Sequence, residues 1–204
     1  MLASLLRDSL GRVQRHVDAT RVALTGSVAI ELQLGAPATR QAHDIDLVAA
    51  TPDAVRPTLT DDFLVSHFHL PQAGYSKFLI QLVDPHTRLR IDVFPDALGT
   101  LTRARHLDKT LAFPVLDAAD ILDHKLATLA KSSPTRPDDP KHYHDAVSLA
   151  AHLDCSIPAI PASHLRPAAF SRDINGICDR CRTSATSSFP LADKRAILSL
   201  LGYV

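Results

Sequence analysis

The chain has 204 residues, 46% of them hydrophobic and 22% charged, with no net charge. This is the composition of an ordinary globular protein, and it excludes disorder and a global basic field for nucleic acid. The length suits one sizeable domain, or a domain with an appended subdomain.

Three cysteines, Cys155, Cys178 and Cys181, are too few for a disulfide framework. Cys178 and Cys181 form a lone CxxC without a second ligand pair, so reduced thiols are expected rather than zinc. The first residues meet Arg7 and Asp8 too early for a signal peptide, and no apolar run reaches the roughly 18 residues of a membrane helix. A cytoplasmic protein without a membrane partner is expected.

In chain order, Leu2, Leu6, Leu10, Val13 and Val17 recur at helical spacing and predict an amphipathic opening helix. Val22–Thr25 reads as a short buried strand ending at Gly26-Ser27, followed by a helix over Val28–Leu34 that Gly35 stops. Residues 36–39 are loop. Asp44–Ala50 is the second strand, and Pro52 opens a short helix limited by Pro57. Further strands are predicted over Leu64–Leu70, Phe78–Val83 and Leu89–Phe94, the last two joined by the turn Asp84-Pro85-His86-Thr87. Asp117 caps a helix running to about Lys131. Ser132–Pro140 carries three prolines and reads as linker. A helix over Lys141–Leu153 and a shorter one over Leu191–Leu201 close the chain. The fold class expected is α+β: a mixed sheet flanked by helices, with a helical C-terminal part. The division expected is a core over 1–115 and a helical region over 116–204 completing its cleft.

The chemistry concentrates in His43-Asp44-Ile45-Asp46-Leu47-Val48. Residues two apart in a strand share a face, so Asp44 and Asp46 project together while Ile45 anchors the strand. Two carboxylates that close repel unless a cation sits between them. Hard oxygen donors suit Mg²⁺, which needs only one or two carboxylates plus substrate phosphates. Upstream, Gly26 lets a backbone approach phosphate, and the helix start that follows offers free N–H groups, with the Ser27 hydroxyl beside them. Downstream, Asp92 sits in another apolar strand, where it can complete a second metal site and draw the proton from an attacking hydroxyl.

Gly-Ser after a strand, an hDhDh doublet and a third aspartate in a later strand together resemble the polymerase-β-type nucleotidyltransferase superfamily. Within it, Arg40-Gln41-Ala42-His43-Asp44-Ile45-Asp46-Leu47 resembles the AbiEii-like branch, in which an arginine precedes the doublet. Lys125 in Asp123-His124-Lys125-Leu126-Ala127 resembles that branch's helical lysine. Lys141-His142-Tyr143-His144-Asp145 resembles its later basic–acidic motif, with His142 standing where an aspartate is usual. The resemblance covers residues 20 to 150.

It implies transfer of a nucleoside monophosphate from an NTP to an acceptor hydroxyl, with two Mg²⁺ ions held by Asp44, Asp46 and Asp92. Gly26, Ser27, Arg40 and Lys125 would bind the nucleotide, with Lys141 and Asp145 as a supporting pair. The acceptor implied is the end of an RNA or tRNA, and the protein would be the toxin of a toxin–antitoxin pair with a cognate antitoxin. Two alternatives stand beside it: a small-molecule, antibiotic-modifying transferase, and a non-catalytic nucleotide sensor or interaction module. Lys141 and Asp145 could equally be an i, i+4 surface ion pair. His142 and His144 are expected to be structural, since i, i+2 spacing does not put both on one helix face. Arg88, Arg90, Arg103, Arg105 and Lys109 near the third carboxylate are read as alternating solvent-facing residues, or else as a local basic rim for RNA.

Overall fold

The computed structural model describes residues 4–35, 42, 44–69 and 78–166. The 36–39 loop, Arg40, His43, Cys178, Cys181 and the helix expected over 191–201 lie outside them.

The first helix, α1 (Ser4–Val13), buries Leu6, Leu10 and Val13, the stripe expected from their spacing, and passes into a 3₁₀ turn over Gln14–His16. Val17, expected on the same helix, instead makes an isolated β-bridge with Val55. Strand β1 (Val22–Thr25) runs straight into α2 (Gly26–Leu34), which therefore starts two residues earlier than its apolar run suggested. Gly35 ends α2 in the left-handed conformation, with φ 64°.

Among the described residues, five strands form one sheet in the order β1-β2-β5-β4-β3. They are β1, β2 (Asp44–Ala49), β3 (Leu64–His69), β4 (Leu79–Val83) and β5 (Arg90–Pro95). β2 and β5 pair in parallel, and every other neighbour is antiparallel. A short helix, α3 (Leu59–Asp62), precedes β3. The parallel pair sets Asp46 opposite Asp92 and Asp44 opposite Arg90. On the other face Ile45 meets Ile91 and Leu47 meets Val93, and all four are at most 1% exposed. This alternation is what the period of two demanded. The β1 edge is covered: Leu24 accepts from the Leu116 N–H and donates to the Pro114 carbonyl.

Asp117 caps α4 (Ala118–Leu129) by accepting from the Ala119 N–H, as expected. Residues 132–140 are not all linker. Asp139 caps α5 (Pro140–His152) through the Lys141 N–H, and Pro140 takes the first helical position, where its missing N–H costs nothing. α4 and α5 pack on each other and on α2, and buried side chains from Leu6 to Ala150 form one cluster. No helix among the described residues is long and apolar enough to cross a membrane.

Asp84 ties α1 to the β4–β5 turn and is fully buried. It accepts from the N–H groups of His86 and Thr87, from the Ser9 hydroxyl at 2.8 Å, and from the Arg12 guanidinium. Burial works against its charge, but Arg12 and the other donors outweigh it and hold the carboxyl below the usual range. A depressed folded-state pKa means stabilisation present at neutral pH and lost as pH falls through the carboxylate range. Asp84→Ala is expected to cost about 3 kcal/mol, since it leaves Arg12 and Ser9 without their anion. Urea melts at pH 7 check the size, and the difference from wild type should shrink towards pH 3.

Candidate active site

Residues paired directly across a sheet share a face, so the ladder registers define one row: Thr25, Asp46, Asp92 and Gln81. One step along, Asp44 and Arg90 sit side by side on the same face. Three carboxylates thus lie together on adjacent strands separated by 46 positions of sequence (92 − 46).

The β1–α2 junction closes on this row. Gly26 has φ +66°, and a Cβ built there would lie 2.0 Å from Asp46 Oδ2 and 2.8 Å from Asp46 Cβ. Only glycine lets the turn pass over the aspartate at that distance while holding a left-handed backbone. The next residue, Ser27, is buried, and its hydroxyl donates to Asp44 Oδ1 at 3.4 Å. The Thr25 N-cap makes no side-chain bond to the first turn of α2, whose N–H groups begin directly beside the carboxylates.

The residue Asp46 is half-buried as a whole, but its carboxylate is packed under the Gly26 backbone. That loss of water pushes its pKa up to about 7, with the Asp44 and Asp92 charges adding to the rise and Lys125 and Arg90 opposing it. Asp92 is held at both oxygens. Gln81 Nε2 donates to Oδ1 at 3.1 Å, and Arg90 Nη2 lies 3.0 Å from Oδ2. Arg90 Nη2 also lies 3.0 Å from Asp44 Oδ2, while Lys141 Nζ approaches that same oxygen at 3.8 Å.

The helices bring the other expected residues close, though not in the expected pairing. Lys125 Nζ on α4 donates to Asp145 Oδ2 on α5 at 2.8 Å; the Lys125 side chain is mostly covered, at 12% exposure, and Asp145 is buried, at 6%. Asp145 therefore belongs to a buried interhelical pair and not to a surface pair along α5. Lys141, one turn earlier, reaches Asp44 instead. His142 turns away to Asp138, with Nδ1 3.0 Å from Oδ2. Burial first, and the Lys125 charge next, depress the His142 pKa, against the pull of Asp138. Removing one partner of a buried pair is costly, so Lys125→Met is expected to lose about 3 kcal/mol in urea unfolding. The double change Lys125→Met with Asp145→Leu should recover most of that.

Two residues of this site escaped the sequence reading. Arg90, which its spacing suggests is solvent-facing or part of a basic rim, is 7% exposed and sits among the carboxylates. Gln81 carried no signal, since a lone glutamine in a strand is unremarkable until its cross-strand partner is known. Of the remaining cations in that supposed rim, Arg103 pairs with Asp120, while Arg88, Arg105 and Lys109 are exposed.

Among the described residues, no three His, Cys, Asp or Glu side chains converge to cage a metal by themselves. Mg²⁺ does not require a cage: it keeps several waters and takes one or two carboxylates plus substrate phosphates. The all-oxygen donors of Asp44, Asp46 and Asp92 on one face fit that ion.

No family model matches the chain, and no curated protein does. Among solved structures, the chain is similar to a candidate nucleotidyltransferase from Thermotoga maritima at 15% identity, covering 76% of this chain and 96% of that one, with a TM-score of 0.46. It is similar to the antibiotic-resistance factor ANT(2'')-Ia in solution at 14% identity, covering 95% of both chains, with a TM-score of 0.47. A candidate nucleotidyltransferase from Helicobacter pylori is also 14% identical, covering 95% of this chain and 98% of that one, with a TM-score of 0.34.

Proposed function

We propose that the protein is a Mg²⁺-dependent nucleotidyltransferase that moves a nucleoside monophosphate from an NTP to an acceptor hydroxyl. The observation that carries this reading is the register of the parallel β2–β5 pair, which puts Asp92 beside Asp46 on the face already bearing Asp44. The Gly26-Ser27 turn and the Lys125 and Lys141 side chains support it from the other side of that face.

In this reading Asp44, Asp46 and Asp92 hold the metal, two ions in all, and Gly26 and Ser27 with the first turn of α2 receive the triphosphate. The bound ions would neutralise the charge that builds on the phosphoryl oxygens. Lys141, which reaches Asp44, and Lys125, whose charge bears on Asp46, would lie on the triphosphate side. The acceptor oxygen forms a bond to the α-phosphorus as the bond to the β-phosphate oxygen breaks. Pyrophosphate leaves, and the hydroxyl proton passes to Asp92, which Gln81 and Arg90 hold in place. Little covalent chemistry is asked of the protein, so positioning and charge do the work.

The acceptor proposed is the end of an RNA or tRNA, with the protein acting as the toxin of a toxin–antitoxin pair. Its support is the resemblance of the Arg40–Leu47 and Lys141–Asp145 stretches to that branch. The test incubates the protein with each labelled NTP, Mg²⁺ and either total RNA or a small-molecule extract, alongside Asp92→Asn. Label entering RNA in the wild type and lost in the variant is expected. Label entering only small molecules would replace the RNA acceptor, and pyrophosphate release unchanged in the variant would sink the metal assignment.

A further inference from the structure

Arg90 is an expensive residue to keep where it is. Its side chain is 8% exposed, and its Nε is buried without a hydrogen-bond acceptor among the described residues. An unpaired buried N–H costs free energy. What the guanidinium does gain is two carboxylates at once, Asp44 Oδ2 and Asp92 Oδ2, each 3.0 Å from Nη2. The first of those oxygens also carries Lys141 at 3.8 Å. Fixed positive charge thus already serves oxygens that a divalent cation would use.

We propose that Arg90 is a built-in competitor of the free metal ion, so that the cation enters this site as its complex with the NTP and not alone. The proposal rests on the metal-dependent transfer reading and deepens it by assigning an order of binding. A bare divalent ion approaching Asp44 and Asp92 meets a permanent charge a few ångströms away, in surroundings where water screens poorly. An ion already carrying a triphosphate arrives with its charge more than offset, and the guanidinium then helps to hold the complex. Arginine suits the task because its planar guanidinium offers several donors at once and so can serve two carboxylates. In the absence of nucleotide it also keeps Asp44 and Asp92 from repelling each other apart.

The experiment measures Mn²⁺ binding to the full chain by electron paramagnetic resonance, with and without a non-hydrolysable NTP analogue. It compares the wild type with Arg90→Gln and Arg90→Lys. The wild type should bind free Mn²⁺ weakly and bind it at least about tenfold more tightly with the analogue. Removing a unit charge at this range should tighten free Mn²⁺ in Arg90→Gln by about tenfold or more. Arg90→Lys keeps the charge and should stay near the wild type. A purely structural role would instead weaken Mn²⁺ in both variants as the face loosens.

Unchanged or weaker free-ion binding in a folded Arg90→Gln protein would overturn the proposal. Where that variant does not fold, Arg90→Met, which retains the buried aliphatic stem, answers the same question. Failure of the wild type to bind Mn²⁺ even with the analogue would instead overturn the metal-dependent reading itself.

Discussion

Asp46→Asn is expected to abolish nucleotidyl transfer while making the protein more stable. The Asp46 carboxylate is pressed under the Gly26 backbone, beside Asp44 and Asp92, and its pKa stands at about 7. An acid whose pKa is higher folded than unfolded works against folding once it ionises. Between the unfolded value near 4 and the folded value near 7, the folded state binds more protons, so stability falls as pH rises through that window. Asparagine removes the charge but keeps the shape. At pH 8 the variant should gain about 1 kcal/mol or more, which for a chain of this size moves Tm up by about 2–4 °C. At pH 4, where Asp46 is protonated in the folded wild type, that gain should vanish. Activity should drop by about a thousandfold or more, in line with the loss of a charge that acts on the transition state. Melting curves at the two pH values and transfer assays check both halves, and a variant less stable at pH 8 than at pH 4 relative to wild type would contradict the electrostatic account. If the proposed site holds a divalent ion, the same linkage should tighten its binding as pH rises through about 7, because the ion needs the ionised carboxylate.

Gly26→Ala is expected to be the most damaging single methyl group in the chain. The alanine would face a left-handed backbone at φ +66° and a Cβ 2.0 Å from Asp46 Oδ2. The first costs about 1–2 kcal/mol and the second, as an overpacking strain, about 1–3 kcal/mol. A loss of about 2–5 kcal/mol in urea unfolding follows. Activity should fall with it even where the protein stays folded, because the side chain that must move is a proposed metal ligand. A double-mutant cycle separates the two costs. With Asp46→Gly as the second change, the steric part disappears and the backbone part remains, so the combined loss should be smaller than the sum by about 1–3 kcal/mol. Strict additivity would mean that the two residues do not press on each other.

The period of two in Asp44-Ile45-Asp46 was readable without coordinates, and so was the apolar strand holding Asp92, because both are local patterns. Strand order and register are not local. Arg90 looked like one more solvent-facing residue beside an aspartate, and only its position opposite Asp44 on a parallel neighbour turns it into part of the site. Gln81 went unnoticed for the same reason. Lys141 and Asp145 satisfy the helical i, i+4 rule so well that the rule hid what they do: packing of α4 on α5 gives Asp145 to Lys125, and Lys141 lies against Asp44. The helix expected over Lys141–Leu153 is present as α5, and at Asp139-Pro140 only its boundary moves. Three prolines in nine residues signalled linker, yet aspartate followed by proline is also how a helix begins.

The place of β5 in the sheet has a consequence for how the protein ages and fails. This strand lies third of five, hydrogen-bonded on one side to β2 and on the other to β4. Its amides should be among the slowest to exchange with deuterium, since freeing them requires opening the sheet from both directions. The third carboxylate is therefore not carried on a loop that can fray while the rest endures. Heating should extinguish the site and the fold in a single transition, with no inactive but otherwise native intermediate between them.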